Sequence, residues 1–167
     1  MTIHERRGNV LDIPEGVIVH GCNCLGAMGS GIAKEIATRF PAVEQEYAKQ
    51  HFDNGLVLGS IQLVKIASKK WIVNAMTQPA IGTGRGNMEY DDNVGGLLGD
   101  RAVSYDAVAS CFAYIDDWYK HGVFTKTEPM LAFPRIGAGL GGGDWDILKV
   151  IIDKSTPNVP HKVCYIL

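Results

Sequence analysis

Residues 17–37 read VIVHGCNCLGAMGSGIAKEIA, and three kinds of local structure follow one another within them. Val17-Ile18-Val19 is a continuous apolar run, the mark of a strand buried on both faces. It delivers His20 at its carboxyl end. A short loop follows with Cys22, Asn23 and Cys24, then Gly26, Gly29 and Gly31. Ser30 can cap a helix, and Ile32, Ala33, Ile36, Ala37 and Phe40 recur at helical spacing. A strand, a glycine-rich loop and a helix N-terminus make a site for an anion. Phe133–Trp145, FPRIGAGLGGGDW, repeats this grammar near the other end of the chain. Five of the seven residues from Gly137 to Gly143 lack a side chain. Glycine there permits left-handed backbone and close approach to a ligand. The two loops are expected to face each other across one phosphate-bearing ligand.

Working outward, residues 1–10 contain a short strand ending in Gly8-Asn9-Val10. Pro41 ends the first helix and opens a second over roughly 42–53. Ile61–Ile66 and Trp71–Met76 read as two strands joined by a short link, hence antiparallel. Residues 79–103 are the least regular, with six glycines and the acidic patch Glu89-Tyr90-Asp91-Asp92. Ser104 caps the clearest helix, whose stripe includes Val108, Cys111, Phe112 and Ile115, and His121-Gly122 stops it. Met130–Phe133 is a buried strand, 145–153 a short helix and Lys162–Leu167 a last strand. Strands alternating with helices define an α/β domain, a mostly parallel sheet with helices on both faces. Ligands of such sheets bind beyond the carboxyl ends of the strands. His20, Asn74 and the 135–143 loop are expected there.

Length and composition narrow the classes. A chain of 167 residues is expected to form one domain, residues 1–167. With 46% hydrophobic and 20% charged residues it reads as globular. A net charge of −2 argues against gripping a nucleic acid backbone. The four cysteines (22, 24, 111 and 164) lack metal or redox spacing, so they are expected to be reduced thiols, with no metal and no cofactor. The N-terminus has charge but no apolar signal region, and no run reaches membrane-spanning length. A cytoplasmic, monomeric protein without a membrane partner is expected.

GNVL at 8–11, IVHGCNCLGAMGSGIA at 18–33, FPRIGAGLGGGDW at 133–145 and Tyr165 in the last strand together resemble a macro domain, an ADP-ribose-binding fold. Their order and spacing agree over nearly the whole chain; 79–103 matches least. The resemblance implies a three-layer α/β/α architecture with a central mixed, mostly parallel sheet. HGCNCLGAMGSGIA, Gly8-Asn9 and RFPAVEQEY resemble the fungal ADP-ribose-1''-phosphate phosphatases. MGSGIA and GAGLGGGDW also resemble macro domains that remove ADP-ribose from DNA or protein in toxin–antitoxin systems. Those hydrolases carry a lysine just after the strand that here ends VNAMTQ, where this chain has Gln78. A glutamine is neither a nucleophile nor a cation, which favours the phosphatase branch. Nucleic acid then enters only as an ADP-ribosylated substrate of the alternative hydrolase. A non-catalytic ADP-ribose-binding module is the third reading.

The resemblance also implies roles. Asn9 would contact the adenine amino group and Val10 would support it. Cys22 would lie at the ligand, and Gly29, Ser30, Gly31 and Ile32 would wrap the diphosphate. Ile136, Gly137, Ala138, Gly139, Leu140, Gly141 and Gly142 would close over the diphosphate and distal ribose. Tyr165 would lie against adenine, or is simply packed in the core. His20, Asn23 and Asp144 are the catalytic candidates. A histidine at a strand end beside a phosphate loop can act as acid or base near neutral pH; the alternative is a buried imidazole satisfying the loop. Asn23 could orient the ribose or a water. Asp144 could act as a base and also cap the helix that follows it. Asn74 could reach the distal ribose or simply end its strand. Cys22 would need a depressed pKa and a nearby cation to act as a nucleophile; Arg135 is the nearest candidate, and a structural ion pair explains it equally well.

Overall fold

A computed structural model describes residues 3–29, 31–80, 102–124, 128–139 and 141–167. Within them lie six strands, β1 (Ile3–Arg7), β2 (Gly16–Asn23), β3 (Ile61–Ala67), β4 (Lys70–Gln78), β5 (Leu131–Phe133) and β6 (Lys162–Ile166). Four helices accompany them: α1 (Gly31–Arg39), α2 (Pro41–Asp53), α3 (Tyr105–Lys120) and α4 (Trp145–Ser155). The strands form one sheet in the order β1-β6-β5-β2-β4-β3. All neighbours run parallel except β3, which is antiparallel to β4 as the short link between them requires. The mixed, mostly parallel sheet expected from the sequence is thus present. The acidic patch and the glycines of the 81–101 stretch lie outside the described residues.

Local chemistry explains the helix starts. The Ser104 side chain accepts the Ala107 N–H at 3.1 Å and Asp106 sits in the first turn of α3. Pro41 occupies the first turn of α2, where no backbone donor is needed. The Asp144 side chain accepts the Asp146 N–H at 2.9 Å and so caps α4. Ser30, the expected cap of α1, lies outside the described residues.

Side-chain alternation along β2 and β4 builds two cores. Val17, Val19, Trp71, Val73 and Ala75 face α3 and α4, packing on Val108, Phe112, Ile115, Leu148 and Ile152. Ile18, Cys22, Ile72 and Met76 face the other way, onto Ile36, Val43 and Tyr47 of α1 and α2. Helices on both faces of the sheet give the three α/β/α layers. Phe112 meets Phe133 edge to face, with ring centroids 5.7 Å apart. Among the described residues no helix is long and apolar enough to cross a membrane.

Candidate functional site

A cleft of about 540 Å³ opens beyond the carboxyl ends of β2, β4 and β5. Its walls come from Gly21–Asn23, Ala27–Gly29, Gly31–Ala33 at the start of α1, Thr77 and Gln78, and Pro134–Gly137 with Gly139 and Gly141. The two glycine-rich loops therefore meet across one cavity. Among the described lining residues there is no carboxylate, and one guanidinium, that of Arg135. Glycine backbone and a single cation make these walls receptive to an anion. Two of the expected loop residues, Ser30 and Leu140, lie outside the described residues.

The 136–143 loop is held from within. Gly143 N–H donates to Gly137 O at 2.7 Å and Gly142 N–H to Gly139 O at 3.1 Å. Gly141 O accepts from both Ala102 and Val103. The N–H groups of Gly137, Gly139 and Gly141 take no part in these bonds. Gly137 has a φ of 76°, and a Cβ on it would lie 2.6 Å from Val103 Cγ2. Only glycine fits that backbone and that space. Ile136 is buried and lines the cleft, while Ala138 packs at the edge of the core formed with α3 and α4. Gly142, half a turn further, is exposed and outside the lining.

The opposing loop is organised by Asn23. Its side-chain oxygen accepts from Leu25 N–H at 2.9 Å and Ala27 N–H at 3.3 Å, and its amide donates to Ala27 O at 2.9 Å. Tyr47 of α2 donates its hydroxyl to the same Asn23, at the backbone and side-chain oxygens. Asn23 lines the cleft, but its amide is spent on shaping the loop rather than on reaching a ligand. Tyr47 was missed in the sequence, where position 47 reads as one more helical apolar position. Gly29, Gly31 and Ile32 line the cleft beside it.

His20 corrects the sequence expectation most sharply. Strand β2 continues three residues past it, so the imidazole sits inside the sheet and not at its end. It is wholly buried and absent from the cleft lining. Its neighbour across the parallel ladder is Asn74, itself fully buried inside β4. His20 Nε2 donates to Asn74 Oδ1, and Asn74 Nδ2 donates to Gln62 Oε1 at 3.0 Å. Burial lowers the His20 pKa to about 4 against a partly opposing hydrogen bond to Asn74. Neither side chain is among the residues that line the cleft. Cys22 does line the cleft, with Sγ 3.5 Å from His20 Nε2. Burial raises its thiol pKa well above the usual value, so it stays protonated and is no nucleophile at neutral pH. All four cysteines are buried.

The remaining candidates divide. Asp144 is exposed and caps α4, just beyond the glycine loop but outside the cleft lining. Its backbone N–H donates to the Tyr105 hydroxyl at 3.0 Å. Arg135 lines the cleft, with Glu5 Oε1 4.0 Å from its guanidinium. Asn9 caps a 3-10 turn, Val10–Asp12, by accepting Leu11 N–H at 2.9 Å, and donates to Glu35 Oε1 at 2.8 Å. One lone pair of its oxygen remains for a base. Val10 is buried beneath it. Tyr165 is half-buried beside Gly8, away from the 540 Å³ cleft, and lines a separate cavity of about 420 Å³. Gln78, the last residue of β4, stands on the cleft wall and donates to Ala80 O at 2.8 Å. Among the described residues no cluster of three or more His, Cys, Asp or Glu side chains could hold a metal ion.

No protein-family model matches the chain. A macrodomain protein from Streptomyces coelicolor superposes with a TM-score of 0.74 at 25% identity, over 99% of both chains. With this sheet order and these layers, the chain has the three-layer α/β/α fold of the macro domains. Two curated relatives narrow the comparison. An "uncharacterized 17.5 kDa protein" of Enterobacteria phage T4 is 29% identical over 140 residues, 81% of this chain and 77% of its own length. The ADP-ribose 1''-phosphate phosphatase of Saccharomyces cerevisiae is 24% identical, over 94% of each chain. The likeness to this yeast phosphatase spans nearly the whole chain and is not confined to the glycine motifs.

Proposed function

We propose that this protein binds ADP-ribose in the cleft and hydrolyses the 1''-phosphate of ADP-ribose-1''-phosphate. The observation that carries the reading is the cavity walled by two glycine-rich loops at the strand ends, without a carboxylate among its described residues. A diphosphate can sit against backbone N–H groups there with no side chain to repel it. The names of the yeast and other fungal relatives support the substrate. In the reaction water attacks phosphorus, the bond from phosphorus to the 1''-oxygen breaks, and ADP-ribose and inorganic phosphate leave. With His20 buried and Asn23 committed to its loop, Asp144 is our candidate to take the proton from water.

Gln78 on the cleft wall weighs against lysine-dependent release of ADP-ribose from protein or nucleic acid. A pure binding module is the second reading, favoured by the engagement of His20 and Asn23 inside the protein. Phosphate release from ADP-ribose-1''-phosphate, measured beside calorimetric binding of ADP-ribose, separates the readings. Binding with release supports the phosphatase. Saturable binding without release leaves the module, and no binding at millimolar ligand removes both. Release of ADP-ribose from modified protein or DNA, without phosphatase activity, would promote the hydrolase.

A further inference from the structure

Thr77 is the next-to-last residue of β4, lines the cleft and is only 1% exposed. Its backbone is fixed, since Thr77 O accepts Ser104 N–H at 2.8 Å. Its side-chain hydroxyl has no hydrogen-bond partner among the described residues. Buried hydroxyls are rarely left so, because the desolvated group costs stability. Facing it is Gly21, inside β2 and also on the cleft wall. A Cβ on Gly21 would lie 2.7 Å from Thr77 Oγ1 and 3.2 Å from Ile136 Cγ2. Gly21 is not among the residues of positive φ, so close approach and not backbone conformation calls for glycine in mid-strand. Gly21, Thr77 and Ile136 thus frame a notch in the cleft floor. It holds one donor without a partner among the described residues.

We propose that the Thr77 hydroxyl is a ligand-binding group of this cleft, donating to a phosphate or ribose oxygen held against the floor. The inference rests on the reading of the cleft as an ADP-ribose site. It explains why a hydroxyl with no internal partner occupies a buried strand position where valine would fit, and why the residue opposite has no side chain.

Thr77→Val and Thr77→Ser test it by thermal melting and by calorimetric titration with ADP-ribose and ADP. Thr77→Val without ligand should melt at or above the wild-type temperature, because a methyl replaces an unpaired hydroxyl. Its affinity for ADP-ribose should fall by about tenfold or more, while Thr77→Ser stays within about threefold of wild type. An equal loss for ADP places the contact on the diphosphate, and a loss confined to ADP-ribose places it on the distal ribose. Unchanged ADP-ribose affinity in Thr77→Val overturns the proposal alone. A Thr77→Val melt well below wild type also overturns it, since the hydroxyl then has a structural partner. Wild-type protein that binds no ADP-ribose overturns this proposal together with the functional reading beneath it.

Discussion

The His20 imidazole is neutral because its surroundings exclude the charged form, and this has a consequence for acid stability. In the unfolded chain it titrates near 6.5; in the folded protein burial lowers it to about 4. The unfolded state therefore gains a proton first as pH falls. The stabilising effect of neutral His20 is complete above pH 6.5 and is lost progressively between 6.5 and 4. The loss amounts to about 3 kcal/mol at roughly 1.4 kcal/mol for each pH unit of displacement. Urea unfolding of wild type and His20→Gln at pH 7.5 and 4.5 checks this: the wild type should lose more stability than the variant, and equal losses would refute it. Asp144 offers a cleaner probe of chemistry. Asn caps a helix as well as Asp does, so Asp144→Asn keeps the α4 cap and removes only the carboxylate. Its melting temperature should stay near wild type while phosphate release falls about 100-fold or more; undiminished turnover would remove Asp144 from the reaction.

At the level of elements, the described residues of the 136–143 loop are held by hydrogen bonds within the loop and to Ala102 and Val103, and by close packing against Val103. Gly137→Ala combines a left-handed backbone with a collision at 2.6 Å. It should destabilise the protein by about 1–3 kcal/mol and weaken ADP-ribose binding, read by urea unfolding and titration. A variant with wild-type stability and affinity would show that the loop adapts. The two glycine loops, the caps at Ser104 and Asp144 and the antiparallel β3–β4 pair were legible because each is a local pattern of a few residues. The length of β2 was not. Its apolar run stops at Val19, and the polar residues that follow read as a strand end. They continue the strand because His20 is partnered by Asn74 on the adjacent β4, 54 positions away in sequence. No single-chain periodicity reveals such a cross-strand pair. The same limit hid Thr77 and Gly21, whose relation exists only once β2 lies beside β4.

For the whole molecule, a ligand that binds only the folded state raises its stability by mass action. ADP-ribose at about 100 times its dissociation constant should add about 2.7 kcal/mol, or a melting shift of roughly 5–10 °C for a chain of this size. Differential scanning fluorimetry reads it, and the absence of a shift at millimolar ADP-ribose would contradict the binding reading. The three-layer architecture was legible from alternating strands and helices. The assignment of helix pairs to faces needed the strand order, which puts the late strands β5 and β6 between β2 and the first strand. That order also leaves β1 and β3 as the outer strands. Each open edge of a sheet is a template for another chain to extend, the first step of amyloid-like polymerisation. Here β1 carries His4, Glu5, Arg6 and Arg7, all exposed, and β3 carries exposed Lys65 beside a register shift against β4. Charge on one border and a kink with charge on the other make both poor templates, so a sheet with two free ends is protected from growing at either of them.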